Sequence, residues 1–306
     1  MAKRELGPAS LEVAHAVAEH WPGGEIVVAC SGGADSLALA LGADWAARRE
    51  GGGVLAVVVD HQLQPGSDEV ANQVHEQLSR HGVPARTVRV TVESGRGGVE
   101  AAARDARYAA LEAFRRPVLL GHTLDDQAEQ VFLGLIRGSG TRTVAGMPAR
   151  RGPFLRPLLG VRRATTVQAC AEWGVAPWHD PMNDDPAFMR VRVRRALAAL
   201  EDSVGRDLAP NLARTARLAR ADADLLDSLL EGGTDAVALA VRDLVELPDA
   251  LRWRLIKQWL EAHDAEPGMQ HVFAVDALVT AWRGQGPIDV PGGKVLRSGG
   301  ELRLLG

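Results

Sequence analysis

The sequence predicts an α/β fold in which a parallel sheet is flanked by helices, followed by a smaller, mainly helical C-terminal domain ending in short strands. Three observations carry this. Short β-branched runs alternate with helix-period segments over the first two hundred residues. The strand runs are almost continuously apolar, as strands buried on both faces are. The residues of unusual chemistry fall just behind the strands, where such sheets bind ligands. A chain of 306 residues exceeds one ordinary core, and a division into domains 1–205 and 206–306 is expected.

Taken in order, residues 1–21 mix charge with helix-period apolar positions and build no signal-peptide core. The first strand, EIVVAC (25–30), runs into SGGADS (31–36), and a helix is predicted over 36–50. VLAVVVD (54–60) is the second strand, followed by DHQLQPGSDE and a helix over 67–81. ARTVRV (85–90) precedes a helix over 98–115, and PVLLGH (117–122) precedes one over 123–137. Between Ala198 and Pro210 the strand pattern gives way to Ala, Leu and Arg, which sets the domain boundary. In the tail, PGGK and SGGE read as turns between short strands. Trp253, Trp259 and Trp282 fit a core better than a base-stacking surface, because LRWRLIKQWLEA is amphipathic.

Composition limits the possible functions. No run approaches the roughly 18 apolar residues of a membrane span, so the chain reads as cytoplasmic with no membrane partner. Cys30 and Cys170 lie far apart without a C-x-x-C, which leaves a zinc or iron–sulfur site short of ligands. A net charge of −4 argues against nonspecific coating of nucleic acid. Yet from Arg137 to Arg217 fourteen arginines face seven acids, with no lysine. Such a zone suits either solvated helix faces or phosphate recognition.

Ser31, Gly32, Gly33 and Ser36 form a glycine-rich turn between strand and helix, a place where backbone N–H groups and a helix dipole meet an anion. It is neither G-x-x-x-x-G-K-[ST] nor G-x-G-x-x-G. On the predicted fourth helix His122, Asp125, Asp126 and Glu129 share a face. Three adjacent carboxylates there repel unless a cation or a basic substrate group neutralises them. On the helix before it Glu100, Arg104, Arg107 and Tyr108 share a face, and the arginines suit phosphate contact or intrahelical ion pairs equally. Near the end of the first domain, MRVRVRR sends Arg190, Arg192 and Arg194 to one side if it is a strand, whereas a helix scatters them.

S-G-G-x-D-S behind a first strand resembles the PP-loop ATP pyrophosphatases, at Ser31, Gly32, Gly33, Asp35 and Ser36. Asp60 and His61 behind strand two, EAAARDARY, GHTLDDQAEQ, RGSG, FLRPLL and HDPMNDDPAFMRVRVRR then follow in the order seen in the tRNA(Ile)-lysidine synthase family, over about residues 24–200. The resemblance implies adenylation of the wobble cytidine of a tRNA(Ile) with a CAU anticodon by ATP, then displacement of AMP by free L-lysine. It assigns the triphosphate and Mg²⁺ to the loop, with Asp35 facing the metal. Asp60, His61, Gly121 and His122 are assigned to the nucleotide, and Arg104 to phosphate charge. Asp125, Asp126 and Glu129 would take the lysine ammonium, one of them accepting its proton. Arg137, Arg190, Arg192 and Arg194 are assigned to tRNA.

Asp180, Asn183 and Asp185 match the family's D-x-x-N-x-D. Val191 and Thr123 depart from its common Asn and second His. The sequence leaves monomer and homodimer both open. The alternatives are a tRNA thiolase, disfavoured by the missing cysteine pair, an amide-forming synthetase such as NAD synthetase, which lacks the DDQAE block, and a nucleotide-sensing module, which needs no carboxylate cluster.

Overall fold

The computed structural model describes residues 6–62, 66–92, 98–138, 140–230 and 236–305, with the side chains of Ser67, Val99 and Glu100 outside that description. The Glu100 side chain and residues 63–65 and 139 of the motifs above therefore lie outside the described residues. Two compact units result, one of residues 1–130 and 147–213, the other of residues 131–146 and 214–306.

The first unit runs α1 (Pro8–Glu19), β1 (Glu25–Ala29), α2 (Ala34–Glu50), β2 (Gly53–Asp60), α3 (Ser67–Arg80), β3 (Ala85–Arg89), α4 (Gly98–Glu112), β4 (Val118–Leu119) and the start of α5 (Leu124–Arg137). After α6 (Thr141–Val144), which belongs to the second unit, it resumes with β5 (Arg150–Arg151), β6 (Phe154–Leu155), α7 (Arg163–Trp173), a short 3-10 turn (Pro181–Asn183) and α8 (Met189–Val204). The sheet order is β3-β2-β1-β4-β6-β5, parallel except for β5. Val27 pairs with Val118 and Val28 with Leu119, which fixes β4 against β1.

Alternation along β1 explains why both faces are covered. Ile26 and Val28 join a core with Val13, Leu37 and Leu39 on α1 and α2, while Val27 points into a second core with Val57, Leu111 and Phe154. Fully burying one such aliphatic side chain contributes about 2 kcal/mol, so the sheet is a rigid base for the loops behind it.

The expected strand PVLLGH is shorter than its apolar run, ending at Leu119. For 190–194 the helical alternative holds: α8 buries Val191, Val193 and Leu197, and good helix formers from Arg194 onward carry the helix through the V-R-V-R alternation. Gly205, at φ 64°, ends α8.

The second unit holds most of α9 (Ala209–Ser228), then β7 (Ala238–Ala240), α10 (Val241–Val245), α11 (Asp249–Ala262), α12 (Met269–Thr280), β8 (Ile288–Val290), β9 (Gly293–Ser298) and β10 (Glu301–Leu305). Its antiparallel sheet is ordered β7-β10-β9-β8. Gly299 and Gly300, at φ 58° and 80°, make the two-residue turn between Ser298 and Glu301. Trp259 is fully buried, donating to the Ala236 carbonyl at 2.8 Å, while Trp253 is half-buried against Phe273 and Trp282 stays exposed beneath Arg297. Among the described residues no helix is long and apolar enough to cross a membrane.

Candidate active site

Because β1 lies between β2 and β4, the sheet's connections reverse direction there, and the carboxyl ends of β1 and β4 are where sheets of this kind bind ligands. Behind β1 the chain folds back on the Ser36 hydroxyl, which accepts the Ser31 backbone N–H at 3.1 Å and donates to the Gly33 carbonyl at 3.0 Å. Gly32 sits at φ +87°, and an added Cβ would meet the Val74 side chain at 2.8 Å. Helix α2 starts from Gly33 with no side-chain cap, so its first N–H groups are available to an anion. Burial pushes the Cys170 thiol up to about 12 and raises that of Cys30, which disfavours the thiolate in both.

Behind β4, Gly121 closes on this loop. A Cβ there would lie 3.1 Å from the Asp35 carbonyl carbon and oxygen and 3.2 Å from the Ser36 nitrogen. The next residue, His122, is pushed down to about 4, chiefly by burial, and its Nδ1 has no partner among the described residues. Thr123, the departure from a second histidine, has a local duty: its backbone N–H and hydroxyl each donate to Asp126 at 2.7 Å, capping α5.

The carboxylate face expected on α5 is present, but its repulsion is relieved within the chain. Arg163, first residue of α7, places Nη2 2.6 Å from Asp126 Oδ1, Nη1 3.1 Å from Glu129 Oε1, and Nε 3.7 Å from Asp35 Oδ2. Arg162 lies 3.2 Å from Asp125, and Arg194 lies 2.8 Å from Glu129. The Arg163 backbone N–H also donates to Asp125 at 2.8 Å. Sequence reasoning missed Arg162 and Arg163. Their only signal was an arginine pair opening a helix inside the basic zone.

Charge in the cluster follows from this packing. Burial, with Asp126 and Asp125 nearby, pushes the Asp35 carboxyl up to about 6, against a hydrogen bond from the Thr166 hydroxyl and the attraction of Arg163. Burial opposes ionisation of Asp126 as well, yet Arg163 and the Thr123 donors hold it below the usual carboxylate range. The carboxylates in turn raise Arg163 further, overcoming its own burial.

The remaining assigned residues are spread around this centre. Asp60, buried at the end of β2, accepts from the Gln62 N–H at 2.9 Å and lines a cavity of about 500 Å³ with Asp68, Asn72, Thr87 and Arg89. His61 is half-buried, its Nδ1 unpartnered among the described residues. Arg104 and Arg107 on α4 lie 5.2 and 6.0 Å from the Tyr108 ring centre. On α8, Arg190 is exposed, Arg192 donates to the Pro186 and Ala187 carbonyls, and Arg194 is engaged with Glu129, so the three form no single stripe. Arg137 is exposed at the end of α5. Asp180 and Asp185 each accept a nearby backbone N–H, at 2.9 and 2.8 Å, and shape the turn before α8.

Among the described residues no three His, Cys, Asp or Glu side chains group as a metal site. A lone hard carboxylate suits Mg²⁺, which takes one or two protein carboxylates and fills its shell from phosphates and water.

A model described as the PP-loop domain matches residues 9–201, and one described as the TilS substrate binding domain matches residues 239–303. Among solved structures, a U34-tRNA thiolase of Methanococcus maripaludis that carries a [4Fe-4S] cluster aligns with a TM-score of 0.56 at 15% identity, over 69% of this chain and 79% of its own, a likeness of fold. Fold and loop together define a PP-loop protein. A tRNA(Ile)-lysidine synthase of Cutibacterium acnes is 48% identical over 99% of both chains, and one of Nocardia farcinica is 51% identical over 90% of this chain and 89% of its own. The chain belongs to the tRNA(Ile)-lysidine synthase family.

Proposed function

We propose that this chain is an ATP-dependent ligase that joins L-lysine to the wobble cytidine of a tRNA(Ile) bearing a CAU anticodon. The observation that carries the reading is the single ion network in which Arg163 connects Asp35, at the phosphate loop, to Asp126 and Glu129. In this reading the nucleotide site and the cation site are contiguous.

In this reading the N–H groups of 31–36 and the start of α2 hold the triphosphate, and Asp60, His61, Gly121 and His122 border the nucleotide. Asp35 holds Mg²⁺, which neutralises phosphate charge when bound. The cytosine C2 oxygen attacks the α-phosphorus, the α–β bond breaks, and pyrophosphate leaves, with Arg104 balancing phosphate charge. Lysine's ε-amine then attacks C2 and expels AMP, its proton passing to a carboxylate of the cluster. Asp126, kept anionic by Arg163, anchors the ammonium beside Asp125 and Glu129. Arg137, Arg190 and Arg192 contact the RNA backbone, and Arg194 positions Glu129.

The test is radiolabelled lysine incorporation into an unmodified tRNA(Ile) transcript with a CAU anticodon, beside a tRNA(Met) transcript with the same anticodon. Incorporation into the isoleucine transcript alone is expected; sulfur-dependent modification without lysine would favour the thiolase alternative.

A further inference from the structure

Two groups of arginines in the first unit contrast in their partners. Arg162, Arg163 and Arg194 each lie within 3.2 Å of a carboxylate. Arg104, Arg107 and Arg156 share an aromatic ring instead, with no ion pair among the described residues. Arg104 sits 5.2 Å and Arg107 6.0 Å from the Tyr108 ring centre, Arg104 Nη2 is 3.4 Å from the phenol oxygen, and Arg156 lies against the same phenol. The ring is fixed edge-on to Phe154 at 4.6 Å.

Arg156 is the unusual member. It is 5% exposed, Nη1 donates to the Pro148 carbonyl at 3.0 Å, and Nε has no partner among the described residues. A carbonyl satisfies a donor without cancelling a charge, and a buried cation without a counter-ion is costly. His122 borders the same arginines, held neutral by burial and by their charge, with an unpartnered Nδ1. Like charges converge here around an unused donor: among the described residues no carboxylate pairs with Arg104, Arg107 or Arg156, and the acid that acts on His122, Asp126, is already paired with Arg163. Guanidinium edges match phosphate oxygens in a way that an ammonium does not.

We propose that Arg104, Arg107 and Arg156, with His122 beside them, form a receptor for a phosphoryl group, with buried Arg156 as its floor. Gly121, one residue before His122, packs on the Asp35 and Ser36 backbone, so the receptor adjoins the nucleotide loop. Two sources supply that chemistry: the pyrophosphate released from ATP, or an RNA backbone phosphate flanking the reacting base. The inference rests on the ligase reading above and adds a binding role for Arg156, which the R-P-L-L motif contains without explaining.

The experiment uses the full chain and the variants Arg156→Met, Arg107→Met and Arg156→Lys, probed by calorimetric titration of inorganic pyrophosphate and by filter binding of the unmodified transcript over a salt series. A tenfold or greater loss of pyrophosphate affinity in both Met variants, with RNA binding kept, identifies the nucleotide-derived phosphate. Weaker RNA binding with a salt slope shallower by about one identifies a backbone phosphate. Arg156→Lys should recover part of either loss. Wild-type binding of both probes by folded Met variants overturns the receptor, and if Arg156→Met does not fold, Arg107→Met decides. Both probes are read without lysine, so an arginine-dependent anion site in a chain that transfers no lysine would sink the ligase reading and leave the receptor standing.

Discussion

The Arg163 guanidinium lies 2.6 Å from the Asp126 carboxylate and reaches Glu129 and Asp35 with its remaining nitrogens. One side chain thus compensates three acids drawn from two helices. Replacing it by alanine leaves them facing each other half-buried, and about 2 kcal/mol of stability should be lost near neutral pH. The loss should shrink as pH falls and the carboxylates protonate. Urea unfolding of Arg163→Ala at pH 8 and pH 5 reads both quantities; a variant as stable as wild type at pH 8 would show that the acids need no counter-ion.

Asp126→Asn keeps an acceptor for the Thr123 cap but removes the charge. Lysine KM is expected to rise at least about tenfold, the order expected for loss of a partly buried charge-assisted contact, while RNA-dependent pyrophosphate release continues. Unchanged KM would move the ammonium site elsewhere.

Gly121→Ala inserts a methyl 3.1 Å from the Asp35 carbonyl, closer than ordinary contact. The loop has to retreat, and ATP affinity should fall about tenfold for roughly 1.4 kcal/mol of misfit, with the fold kept. Equilibrium binding of ATP, compared with the thermal melt of the apo protein, separates the two effects.

His122 titrates near 6.5 when unfolded and near 4 in the fold, so the unfolded chain binds more protons between those values. Its neutral form therefore contributes stability that is complete above about pH 6.5 and declines as pH falls toward 4. His122→Asn should flatten that part of the stability profile, measured as urea midpoints from pH 7.5 to pH 4.5. An identical slope in the variant would assign the acid loss to other groups.

Arg190 is exposed, whereas Arg194 is paired with Glu129 at 2.8 Å. Arg190→Ala is expected to lower the salt slope of transcript binding by about one, and Arg194→Ala to act on lysine KM instead. Filter binding and steady-state kinetics on both variants distinguish these roles.

The elements around the loop were legible because their signals are local. The β-branched runs, and the glycines between Ser31 and Ser36, declare a strand and a tight turn in a few residues. GHTLDDQAEQ likewise showed that acids share a face. The partner of those acids was not legible, since Arg163 lies 37 residues beyond Asp126 and meets it only where the start of α7 comes to the start of α5. V-R-V-R at 191–194 has the period of a strand, and only its helix-forming continuation and the burial of Val191 and Val193 decide for α8. Thr123 looked like the loss of a functional group, and its role as a cap depends on a backbone N–H that no residue pattern displays.

Asp125 accepts the N–H that opens α7, at 2.8 Å, and Asp126 accepts the one preceding α5, at 2.7 Å. The acids of the candidate site are therefore also fasteners of the helices that carry them. In a lineage that no longer needed the reaction, mutations at these two positions would still be removed by selection for folding. The aspartates would outlast the activity, and their presence in a relative testifies to an intact scaffold before it testifies to a working enzyme.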